Sequence, residues 1–224
     1  MRMRTRFGIL AAVFLAATTT RVFAQPAPSP LLDELQLRQL ATHAQPADHA
    51  RLAAHFTTLA DEYGADAKRH EAMASAETSG RNAGPGVHCR QLAALDTKLA
   101  ATARELAAFH SKAAVGLPAV PPADPAGLAA GKGARTPSAA ELAAAGERAA
   151  KANDHRGLAD YFTALAKRYA TEASTHAGMS AAYHRGRMPG MSAHCDRLVR
   201  DARAAAKEAR LAASMHRTLA TAKK

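Results

Sequence analysis

Two short segments hold the cysteines of this sequence, VHCRQL at 87–92 and AHCDRL at 193–198, and in each a histidine directly precedes the thiol. Brought together, His88, Cys89, His194 and Cys195 would make a Cys2His2 set able to take zinc or copper. In an oxidising compartment Cys89 and Cys195 would instead join in a disulfide, closing a loop of about 100 residues. Unpaired structural thiols are the third reading. A second group is His70 with Met73, three residues on, repeated as His176 with Met179. If related hairpins bring these to one level, two imidazoles face two thioethers, a donor set suited to copper, above all Cu(I), or to axial ligation of haem. The competing reading packs the methionines as core filler and gives each histidine a buried hydrogen-bond partner, Asp66 or Glu172.

Catalytic signatures are missing from the chain: it has no Walker-type glycine loop, GxSxG elbow, HExxH or CxxCH haem-attachment site. A non-enzymatic protein is expected. In its use of Met and His the chain is similar to helical-bundle proteins of the cell envelope that buffer copper, a likeness of composition and setting without an alignable motif.

The elements that must position these residues are written twice. Displacing the chain by 106 residues lays Asp48-His49 on Asp154-His155, and about 25 of 67 positions through Ala114 and Ala220 are identical. Four histidine pairs fall in register (49/155, 70/176, 88/194 and 110/216), whereas His43, His55 and His184 lack a histidine counterpart and read as surface residues. Each copy opens with a short helix at Ser29-Pro30 or Thr136-Pro137, with Ser138 and Glu141 fitting a capping box. Asp48 or Asp154 then caps a long helix, a glycine-rich turn follows, and a last helix runs from about His88 or His194.

Along the long helix His49, Phe56, Tyr63 and His70 recur every seven residues, interleaved with Leu52, Leu59, Asp66 and Met73. That is the seam of a left-handed bundle. A stripe of small residues, Ala100, Ala103 and Ala107, is matched by Ala206, Ala209 and Ala213, so the last helices can approach closely. The expected fold is all-α: two tandem helical hairpins, each preceded by a short helix, packed as a four-helix bundle. The units span 25–114 and 136–220, joined by a Pro/Gly/Ala-rich linker at 115–135.

Residues 1–24 read as a signal peptide, with Arg2, Arg4 and Arg6 before an apolar run too short to span a bilayer and Val22-Phe23-Ala24 at the cleavage point. Export to the periplasm or medium is expected, with no transmembrane span after cleavage. Removing that segment takes four arginines and no acid, so the formal charge falls from +11 to +7. A basic exported chain suits an anionic envelope component or an acidic protein partner. Nucleic acid is a poor partner for it, with no Trp, four Tyr and six Phe to stack on bases.

Overall fold

The computed structural model describes residues 31–43, 45–78, 84–117 and 137–222. The expected signal segment, Ser29-Pro30, Thr136 and the linker beyond residue 117 lie outside them. The described residues form six helices and no strand: α1 (Glu34–His43), α2 (Pro46–Thr78), α3 (Gly84–Ala113), α4 (Ala139–Lys151), α5 (His155–Arg185) and α6 (Pro189–Ala222).

Local chemistry explains the boundaries. Ser138 caps α4 in the expected box with Glu141, and Asp154 caps α5 by accepting from the Arg156 amide. Asp33 and Gln36 form the same reciprocal box at α1. Asp48 is not the helix cap that the sequence suggested. α2 begins at Pro46, whose fixed φ suits a first helical position, so Asp48 falls in the first turn. Asn153 and Arg187 take left-handed backbone (φ 50° and 57°) where α4 and α5 end, each in a Schellman-type closure.

α2 with α3, and α5 with α6, form the two expected hairpins, and α3 packs on α6. The alanines at 100, 103, 107, 206, 209 and 213 are all buried. No Cα of α2 comes within 8 Å of α5. On that wider side large side chains fill the gap, and α1 and α4 lie across it, each touching both α2 and α5. All eight residues of the α2 seam are buried, from His49 to Met73.

The relation between the hairpins decides what can meet. His88 near the start of α3 bonds Glu208 late in α6, and His194 near the start of α6 pairs with Glu105 of α3. The pseudo-twofold axis therefore runs across the bundle, not along it, and equivalent residues lie toward opposite ends.

Candidate functional site

The axis generates two matched aromatic stacks. The Phe56 ring lies between His110 (5.7 Å between centroids, 2° between planes) and His176 (6.3 Å, 20°). Phe162 lies between His216 (5.5 Å, 7°) and His70 (6.3 Å, 22°). Each stack takes residues from both hairpins. At the outer ends His49 Nδ1 meets His110 Nδ1 at 2.8 Å and His155 Nδ1 meets His216 Nδ1 at 3.1 Å. Tyr183 Oη lies 2.9 Å from His110 Nε2. Burial holds the Tyr183 hydroxyl protonated. All three groups are satisfied when Tyr183 donates to Nε2 and His110 donates from Nδ1 to His49.

The stacks differ in what surrounds their inner histidine. Fully buried His70 places Nδ1 2.8 Å from Asp96 Oδ2 and Nε2 3.1 Å from Tyr161 Oη. Asp96 also accepts from Tyr169 Oη at 2.6 Å. Burial raises its carboxyl above the usual range, against the pull of His70 and Tyr169. At the repeat-equivalent positions stand Ala202 for Asp96 and His55 for Tyr161. His176 is accordingly left with Nδ1 buried and unpartnered, and burial lowers its pKa to about 4.

Between the stacks lies an ionic belt. Arg168 is 2.8 Å from Glu172, 2.9 Å from Asp66 and 3.8 Å from Glu62. Tyr63 Oη donates to Glu172 at 2.9 Å, and Arg69 pairs with Asp66. Two guanidiniums, Arg168 and Arg69, are shared among the three carboxylates of Glu62, Asp66 and Glu172, and these charge-assisted contacts offset part of the cost of holding the charges out of water.

The sequence-derived metal residues are placed but not assembled. His70 stacks on Phe162, fourteen residues from His176 on α5, which at 1.5 Å per residue separates the two histidines by about 20 Å along the bundle. Met73 and Met179 are buried, and they follow their histidines toward opposite ends. The disulfide expectation is corrected: Cys89 and Cys195 are free, buried thiols. Cys89 adjoins His88, which stands opposite Glu208, thirteen residues from Cys195, again about 20 Å away. Burial first, then the charge of Glu77 or Asp196 respectively, pushes each thiol up to about 12. His88 and His194 do not join them; they face Glu208 and Glu105. Among the described residues no three His, Cys, Asp or Glu side chains are arranged to hold a metal ion.

His55 was expected at the surface and is buried, its Nδ1 accepting the Leu32 amide at 3.3 Å as the chain leading into α1 folds over α2. Burial first, then His176 and His110, lowers its pKa to about 3. Asp96, Tyr161, Arg168 and Glu77 differ between the two copies, so identity across the repeat does not mark them. One signal was present: Asp96 sits among Leu92, Leu95 and Leu99, an acid within an apolar helical frame.

Comparison with protein-family models, with curated proteins and with solved structures found no match.

Proposed function

We propose that this protein is a non-enzymatic helical-bundle module of the cell envelope, exported by its N-terminal segment, that acts by binding other components through its surface. Its histidines specify the core. The observation that carries this reading is His70: both ring nitrogens are engaged, by Asp96 and Tyr161, so neither faces Met73 or Met179 as a free ligand. Exchanging Met73 and Met179 for Leu, which is close to volume-conserving, should leave copper uptake and the thermal midpoint unchanged. Stoichiometric Cu(I) bound by the parent and lost in that double variant would overturn the reading in favour of a copper carrier.

A second reading keeps a metal but moves it, on one observation. His216 Nε2 is buried without a hydrogen bond, 3.4 Å from a Glu77 carboxylate oxygen whose partner oxygen is also unbonded. Two donors on one tetrahedral ion at about 2.0–2.1 Å would lie about that far apart. His155 already holds the other ring nitrogen of His216, as a supporting partner to a metal-bound histidine would. His88, which now faces Glu208, would be the third ligand on turning away from it. Zinc titration of the parent and of a Glu77→Gln, His216→Gln variant tests it: equal, weak uptake by both would eliminate this site.

A further inference from the structure

The two hairpins differ on their outer seams. Between α5 and α6 runs a groove of about 380 Å3 lined by Thr163, Ala166, Lys167, Ala170, Arg210, Ala213 and Arg217. Its floor is alanine and its charged lining residues are all cationic. Arg217 reaches Thr163 Oγ1 at 3.3 Å, and among the described residues Lys167, Arg210 and Arg217 make no ion pair. Arg203 is exposed one heptad before Arg210, so Arg203, Arg210 and Arg217 form a stripe along α6 with steps of about 10 Å. The nearby acids turn elsewhere. Asp160 lines the α4/α5 groove, Glu208 pairs with His88, and Asp196, accepting from Ser180, closes the row one heptad before Arg203.

The same seam in the first hairpin supplies an internal comparison. Asp61 stands for Lys167, Thr97 for Arg203, Arg104 for Arg210 and Ser111 for Arg217, all of them exposed. Packing between hairpin helices cannot account for the difference, since Ala60 and Ala107 form the same buried floor as Ala166 and Ala213. The four positions carry +4 in one copy and no net charge in the other.

We infer that the α5/α6 seam is a docking groove for a linear, phosphate-bearing polyanion, such as an anionic polymer of the envelope. A narrow groove with regularly spaced cations suits a chain of charges. Its alanine floor offers no large apolar side chain to insert into a bilayer, which argues against a membrane surface. This inference rests on the interaction-module reading and names the surface and its partner. The two can fail separately, because that reading is tested in the core by metal uptake.

The experiment is binding of the full chain to long-chain inorganic polyphosphate at several salt concentrations, with far-UV circular dichroism of every variant. The parent should bind with an affinity that falls steeply as salt rises, because each phosphate contact releases a condensed counterion. A Lys167→Asp, Arg203→Thr, Arg217→Ser variant rewrites the seam as its repeat counterpart and should bind at least tenfold more weakly with unchanged helicity. A Lys68→Asp, Lys98→Ser, Arg185→Thr variant loses the same charge from exposed positions off the seam and should bind within about twofold of the parent. The converse change, Asp61→Lys, Thr97→Arg, Ser111→Arg, should create a second site and double the stoichiometry. No binding by the parent, equal loss in the two charge-removal variants, or binding to phosphatidylglycerol vesicles but not to polyphosphate would each overturn the inference.

Discussion

At the scale of single residues the core is governed by which polar atoms find partners. Asp96 is the clearest case, because one carboxylate serves both His70 and Tyr169 in a site closed to water. Asp96→Ala should destabilise the protein by about 3–5 kcal/mol, since it strands a buried imidazole and a buried hydroxyl together. Urea unfolding checks it, and a loss under 1 kcal/mol would mean the network rearranges freely. Backbone tolerance is not the reason for the cost: the equivalent position is already an alanine, Ala202. The thiols offer a second check. With both pushed up to about 12 by burial, Cys89 and Cys195 should ignore a thiol reagent in the native state and react together on unfolding.

At the scale of elements, helix ends and tight approaches set the tolerances. Arg187 holds left-handed backbone that costs a side-chain-bearing residue about 1 kcal/mol, so Arg187→Gly should raise stability by about that amount in a denaturant melt. Gly146 has the opposite sensitivity: a Cβ there would sit 2.7 Å from the Tyr161 ring, displacing the residue that bonds His70. The six helices and their pairing into hairpins were legible in the sequence, because heptad stripes and the 106-residue repeat are properties of single helices and of chain order. The direction of the symmetry axis was not. An axis along the bundle and one across it bury the same stripes, and the choice rests on cross-bundle pairs such as Phe56 with His176 and Tyr63 with Glu172. Once the axis turns, the His/Met and Cys/His sets separate to opposite ends.

At the scale of the whole molecule, buried imidazoles make stability depend on pH. Burial holds His55 and His110 near 3 and His176 and His216 near 4, with neighbouring histidines adding to it at all but His176. The unfolded chain takes up these protons near pH 6.5 and the folded one does not until about pH 4 or below. Their contribution is present above pH 6.5 and is lost as pH falls through the window from 6.5 to 4. Glu77 opposes it: raised to about 7 by burial, it stabilises the fold on the acid side and loses that contribution as pH rises through 7. Burial also raises the Asp96, Glu62 and Glu172 carboxyls, which act in the same direction as Glu77. The four imidazoles of the unfolded chain take up protons across the whole window, so the urea midpoint should drop between pH 7 and pH 5, and His110→Gln should flatten the slope. A midpoint independent of pH over that range would contradict the burial of these rings as neutral species. The crosswise axis has a consequence of another kind. Two hairpins related this way have the arrangement of a C2 homodimer, in which every substitution would appear twice. Carried on one polypeptide, the halves are released from that constraint: Asp96 can answer Ala202, Glu77 can answer Tyr183, and a cationic seam can stand on one flank alone. The tether turns a symmetric dimer into a molecule with two distinguishable sides.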